Sequence, residues 1–279
     1  MNSFLRYSFL ALFLFLGQYA VGQVATSVNP SGLGVRQYAM DTVYSAKRIR
    51  EDDKMYQISL WRRIDLREKY NLPLFGSGKS KENGIINHLY KGVKENALEV
   101  FGDENFTKPL SIADFESAFW LTDNGDSVFV NQLFFLDFKE DFVFDRQHSQ
   151  FKFDIKHIQL LMPAETNADP NTNVGVQKTI GFIRYKDFVN YFKTHPDARW
   201  LNFQNISKSL TYNEAFESRL FRSVVTRYTN DSEDLVIDLI KKKNGKLPAD
   251  SERDKMQAYL AALAFEYKLL EFENSVWEW

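Results

Sequence analysis

The sequence predicts an α+β protein with a helical N-terminal region, a β-rich centre and a long C-terminal helix. Three observations carry that expectation. Apolar residues fall at helical spacing near the start of the mature chain. Strict alternation occupies the phenylalanine-rich middle third. A heptad-spaced seam closes the sequence.

The first 22 residues read as a cleaved export signal. Arg6 supplies the positive end, Tyr7 to Leu16 is almost unbroken apolar sequence, and Ala20-Val21-Gly22 places small residues before Gln23. The apolar run ends at Gly17-Gln18, short of the ~20 residues a membrane span requires. Residues 23–40 then form an arm rich in Ser, Gly, Asn and Pro. An α+β domain over 41–279 follows, with a subdivision into a helical part (41–120) and a mixed part (121–279).

Within that domain, Ile49, Tyr56, Leu60 and Ile64 are spaced 7, 4 and 4, which predicts a helix from Asp41 to about Asn71 with Trp61 at the edge of its apolar face. Pro73 is expected to stop it. A second helix spans Asn83 to Asn96, turning Ile86, Leu89, Tyr90 and Val93 inward. Ser111 reads as the N-cap of a third. From Ser127 to Met162 the pattern becomes β, with Phe151, Phe153 and Ile155 alternating with Lys152, Asp154 and Lys156. Thr179 to Tyr185 reads as a strand, Asp187 to Thr194 as a helix, and Asn213 to Tyr228 as a helix through Phe216, Leu220 and Val224. The last element is the most regular. Met256, Leu260, Leu263, Tyr267, Leu270, Asn274 and Trp277 recur at spacings of 4 and 3, a heptad seam over three repeats. Such a helix, ~40 Å long at about 1.5 Å per residue, either lies on its own domain's core or docks another subunit.

Composition narrows the function by exclusion. Hydrophobic content of 44% and 25 phenylalanines suit a well-packed core. The whole chain holds 35 basic and 37 acidic residues, and Arg6 is the one charged residue of the leader. The mature chain therefore sits near −3, with no electrostatic call for nucleic acid or an anionic membrane. There is no cysteine, hence no disulfide, no lipid-bearing cysteine and no thiol nucleophile. Gly76-Ser77-Gly78-Lys79-Ser80 imitates a phosphate-binding loop, but Pro73 stands where that motif needs its first glycine. His88, His148, His157 and His195 are too far apart for a short metal motif. Asp123-Asn124-Gly125-Asp126 reads as a turn into a strand at Val128 rather than a calcium loop. No cofactor, metal site or catalytic constellation is expected.

Three ordered blocks resemble a known family. The first runs from Arg48-Ile49-Arg50-Glu51-Asp52-Asp53 through Trp61-Arg62-Arg63-Ile64-Asp65-Leu66-Arg67-Glu68-Lys69 to Asn71-Leu72-Pro73-Leu74. The second is Glu214-Ala215-Phe216-Glu217-Ser218-Arg219 with Phe221-Arg222-Ser223, and the third is Phe272-Glu273-Asn274-Ser275-Val276-Trp277-Glu278-Trp279. From about Arg48 to Trp279 the chain is similar to the GldN/PorN family. That resemblance implies a structural periplasmic subunit of the type IX secretion system, supporting protein secretion and gliding. It also implies association with an outer-membrane lipoprotein of the PorK/GldK kind, with further copies of itself in a ring, and with the PorM/GldM-like motor arm. Residues expected at such contacts are Trp61, Arg63, Asp65, Arg67, Glu68 and Trp277, because tryptophan and arginine are enriched as interface anchors. The alternating charges from Arg63 to Lys69 also read as a solvated helix face, with support such as Asp65 to Lys69. The competing functional class is a periplasmic binding module for envelope polysaccharide or peptide.

Cleavage between Gly22 and Gln23 is directly measurable. The periplasmic form should have the intact mass of a chain beginning at Gln23, with or without cyclisation of that glutamine. A stable pool that retains Met1 would overturn the export reading.

Overall fold

A computed structural model of the chain describes residues 51–76, 84–168, 175–195, 198–200, 210–229, 234–243 and 252–277. The expected export signal, the expected arm and residues 77–83 of the glycine-rich loop lie outside the described residues. The fold is α+β: five antiparallel strands in the order β4 (Lys178–Arg184), β3 (Gln150–Met162), β2 (Phe135–Asp145), β1 (Lys54–Asp65) and β7 (Val224–Tyr228), with helices packed on them and a long helix at the C-terminus.

The first element corrects the sequence reading. Lys54–Asp65 is strand β1, not part of a helix from Asp41 to Asn71. A spacing of four residues satisfies both periods, since positions four apart share one face of a strand as well as of a helix. Ile58 and Arg62 complete the strand's inner row between Tyr56, Leu60 and Ile64. Leu60, Arg62 and Ile64 are buried while Trp61, Arg63 and Asp65 are half-buried on the other face. A charged residue in the inner row is what hid the alternation.

Pro73 likewise does not stop a helix. It lies in the first turn of the short helix α1 (Leu72–Phe75), where its missing N–H removes no hydrogen bond. Before it, the buried Asn71 side chain donates to the carbonyls of Asp65 (2.8 Å) and Arg222 (2.9 Å) and accepts from the Arg222 amide. One amide therefore ties the end of β1 to the start of β7, 151 residues later. Helix α2 (Ile85–Lys94) buries Ile86, Leu89 and Val93 as its periodicity predicts. Helix α3 (Ile112–Trp120) begins at Ser111, whose hydroxyl accepts from the Asp114 amide at 3.2 Å. The Asp123–Asp126 turn is present, with Gly125 at φ 86°, but Val128 lies in a loop before a 3-10 turn at Val130–Gln132.

Strands β2 (Phe135–Asp145) and β3 (Gln150–Met162) form the central hairpin. Their register shifts between Lys139 and Glu140, which pair with His157 and Ile155, so Lys156 is the extra residue of a bulge. The bulge moves the inner row of β3 from Phe151, Phe153 and Ile155 to Ile158 and Leu160, and turns His157 to the opposite face. Strand β4 (Lys178–Arg184) and helix α4 (Tyr185–Thr194) follow as expected. Gly181 lets the chain at Val100 cross closely, since a Cβ there would sit 2.3 Å from Val100 Cγ1.

A two-residue ladder, β5 (Arg199–Trp200) with β6 (Leu210–Thr211), precedes helix α5 (Tyr212–Glu217). The helix expected from Asn213 to Tyr228 ends there. Arg219 adopts φ 52° and Val224–Tyr228 is strand β7, paired with β1. Helices α6 (Val236–Lys243), which the sequence reading missed, and α7 (Glu252–Trp277) pack beside β7. Phe115, Phe119, Phe138, Phe188, Phe192 and Phe216 meet in one large core, and a smaller cluster joins Leu60 and Phe142 to Leu269 of α7.

Beneath α7 lies a buried charge cluster. Glu140, fully buried in the central strand, has Arg62 Nε at 2.6 Å and accepts from both Arg219 nitrogens at 2.6 and 3.1 Å. The Arg62 Nε contact is a close charge approach off the line of its N–H, so it acts as an ion pair rather than an aligned hydrogen bond. Arg62 Nη1 donates to Glu266 of α7 at 2.6 Å.

Glu140→Gln preserves the shape but leaves Arg219 without its carboxylate and Arg62 with Glu266 alone, so it should lower unfolding free energy in urea by about 3–5 kcal/mol. Arg67→Ala removes a half-exposed guanidinium and should cost ~1 kcal/mol or less. Equal and small losses for the two variants would show that the buried cluster does not hold the sheet together.

Candidate interaction groove on the outer face of the sheet

The outward row of β1 builds this surface. Trp61 lies in register between Lys139 of β2 and Arg227 of β7, so both cations reach its ring, Lys139 Nζ at 4.6 Å and the Arg227 guanidinium carbon at 3.6 Å from the centroid. Glu104, from the loop after α2, closes the arrangement. It accepts from Trp61 Nε1 at 3.2 Å and from Lys139 at 2.7 Å, with Arg227 at 3.5 Å. Burial pushes the Glu104 carboxyl up, but the Lys139 hydrogen bond and charge, together with the charge of Arg227, hold it below its ordinary value. Two residues along β1, Arg63 makes a bidentate pair with its cross-strand neighbour Asp137, both bonds at 2.8 Å, and covers Phe135 at 4.7 Å.

Trp61, Arg63, Glu104, Phe135, Asp137 and Arg227, together with Asp65, Glu68, Gln159, Phe182, Leu235, Lys255 and Tyr259, line an open groove of about 900 Å³. It runs from the sheet face past β7 to the N-terminal half of α7. Four of the six expected contact residues, Trp61, Arg63, Asp65 and Glu68, line it. Arg67 does not. It follows the strand, donates to Asp65 at 2.9 and 3.1 Å, and lies 3.6 Å over Phe134 with Glu165 nearby. The helical i,i+4 relation expected between Asp65 and Lys69 is absent, because Asp65 ends a strand. Trp277 ends α7, and its side chain lies outside the described residues. Lys139, Asp137, Glu104 and Arg227 were missed, since they come from three separate segments. Their one local trace is the i,i+2 spacing of Asp137 and Lys139, which mirrors Trp61 and Arg63.

Chemically the groove presents paired opposite charges over aromatic rings. Asp137 is held bidentately by Arg63 and Glu104 by Lys139, so neither is a free general base. His157, buried behind Glu104 and edged by Phe106 and Phe182, is pushed down to about 4, chiefly by burial, against the pull of Glu104. It is neutral at pH 7. Among the described residues no three His, Asp or Glu side chains gather as a metal site, and no helix is long and apolar enough to cross a membrane. The glycine-rich loop that imitates a nucleotide site lies beyond Gly76, outside the described residues.

The family described as "Gliding motility associated protein GldN" matches residues 49–278. No individually curated protein matches the chain.

His157 makes the fold acid-sensitive. Its folded value lies below the ~6.5 of an unfolded histidine, so the unfolded state binds the extra proton between those values. The stabilising contribution is complete above about pH 6.5 and is lost as pH falls toward about 4. Unfolding free energy should fall by ~2–3 kcal/mol across that window, at 1.36 kcal/mol per pKa unit. His157→Leu should flatten this part of the curve, and an unchanged slope in that variant would clear His157 of the effect.

Proposed function

The chain belongs to the GldN family of gliding-motility-associated proteins, and we propose that it is a structural subunit of the periplasmic ring of the type IX secretion system. In this reading it associates with an outer-membrane lipoprotein of the PorK/GldK kind and with the PorM/GldM-like motor arm. It supports protein secretion and gliding without doing chemistry itself. The family match over almost all of the described chain carries the proposal. The groove adds physical support. Its tryptophan and arginines sit on rigid strands, with rotamers fixed by cross-strand partners, as the anchors of a protein contact require. The leader, and the lack of a cysteine to bear a lipid of its own, suit a periplasmic protein held at the outer membrane by a lipidated partner.

A sugar-binding module is less well supported. The Trp61 ring already carries two cations, so its face is not a free platform for stacking a pyranose. A peptide or protein segment, which can answer the groove's alternating charges, fits better.

The mature chain co-expressed with the lipoprotein should elute as one large complex. Leu235, 44% exposed at the groove, is the site for a selective break. Leu235→Glu should change stability by only ~0.5 kcal/mol, yet abolish co-purification and leave cargo in the periplasm. Normal assembly and secretion by this variant would remove the groove from the contact. A wild-type chain that never enters a large complex would sink the subunit reading itself.

A further inference from the structure

Helix α7 carries two apolar faces. On one, Ala262 and Leu269 are buried and the Phe265 ring stacks on Tyr228 at 4.3 Å. The other, turned by roughly 130° at about 100° per residue, carries Met256, Leu260, Tyr267 and Leu270. These are 59, 55, 70 and 53% exposed, with Leu263 half-buried between them. The exposed row is the heptad seam. Its own domain leaves it in solvent, although large apolar side chains in a continuous row mark an interaction surface.

We propose that this seam pairs with the same seam of a second copy of the chain, the two α7 helices running antiparallel across a two-fold axis. The 4-3 repeat of the exposed row is what two helices winding about each other require; the packed row, Ala262, Phe265, Leu269 and Phe272, keeps the same spacing and is already used against the sheet. Charge selects the direction. Glu271 flanks the C-terminal half of the seam, and Lys255 stands near its N-terminal half. A parallel pair would crowd the glutamates of both copies together. An antiparallel pair sets Leu260 against Leu270 and Leu263 against Tyr267, and brings Glu271 opposite Tyr259, within one turn of Lys255. A lipid surface is a poor occupant, because residues 252–279 hold six acidic side chains against three basic ones. The area is at the small end for a specific contact, about 1,000 Å² in total, so the pairing gains strength where copies are held close together. A two-fold contact differs from the head-to-tail contacts that close a ring. The pairing shares Lys255 and Tyr259 with the groove wall, so a groove variant at Leu235 is needed to tell the two contacts apart.

The absence of native cysteine makes the test direct. Mature chains carrying Leu260→Cys and Leu270→Cys are oxidised separately and as a mixture, with circular dichroism confirming the fold. The mixture should give a cross-linked dimer of one chain of each kind, several-fold above either variant alone. Adding Tyr267→Glu should abolish it, and adding Leu235→Glu in the groove should not. Self-linking of Leu260→Cys alone at the level of the mixture would overturn the antiparallel pair. So would a mixture that fails to cross-link while light scattering of the wild-type chain reads monomer at every concentration.

Discussion

A carboxylate placed in the middle of a five-stranded sheet, with no exposure to water, imposes its needs on everything around it. Glu140 is that group. Moving an ion of this size out of water costs several kcal/mol even after the protein relaxes, and one partner seldom offsets it. Here Arg62 comes from β1, Arg219 from the turn after α5, and Glu266 of α7 takes up the remaining charge of Arg62. Each partner fixes something. Arg62 pins the β1–β2 register, because a slip of one residue would turn its side chain to the outer face. Arg219 reaches Glu140 with its backbone at φ 52°, and its guanidinium lies 4.0 Å from the Phe153 ring centroid. Glu266 ties α7 to the sheet across 204 residues of sequence.

The same strand serves the outside. Even-numbered residues of β1 enter the core and the charge cluster, while the odd-numbered Trp61, Arg63 and Asp65 line the groove. Cross-strand register then supplies their partners: Lys139 and Arg227 beside Trp61, and Asp137 beside Arg63. The hydrogen-bonded ladder sets the spacing of Trp61, Arg63, Asp137 and Arg227, and the loop bearing Glu104 closes the site over them. The bulge at Lys156 contributes too, since it turns His157 outward to lie behind Glu104.

What the sequence revealed follows from how local each signal was. Strand β3, helices α2, α4 and α7 and the Ser111 cap rest on periodicity or capping within one segment, and they were legible. Strand β1 was not, for two reasons. Its apolar residues recur at intervals of four, common to helix and strand, and Arg62 occupies an inner position where alternation demands an apolar residue. The reason for that arginine lies 78 positions away, in Glu140. The stretch after Glu217 misled in the same way. Phe216, Leu220 and Val224 keep helical spacing, but the left-handed turn at Arg219 that aims its guanidinium at Glu140 cannot coexist with a continuing helix. Of the groove, the half on β1 could be named from tryptophan and charge patterning. The half supplied by Glu104, Asp137 and Arg227 depends on pairings that no single segment encodes.

Helix α7 joins the two surfaces mechanically. Its N-terminal half, through Lys255, Ala258 and Tyr259, forms part of the groove wall. Its middle is fixed by Glu266 to Arg62 and by Phe265 to Tyr228, and Leu269 closes the small core over Leu60 and Phe142. A rigid helix anchored at its centre transmits a displacement at one end to the other. Sliding α7 along the sheet by one turn, about 5.4 Å, would take Glu266 off Arg62 and Leu269 out of its cluster together. It would leave the charge of Arg62 to Glu140 alone, which Arg219 already serves. Small shifts are therefore resisted, and the groove wall keeps its position as long as the buried charges stay paired.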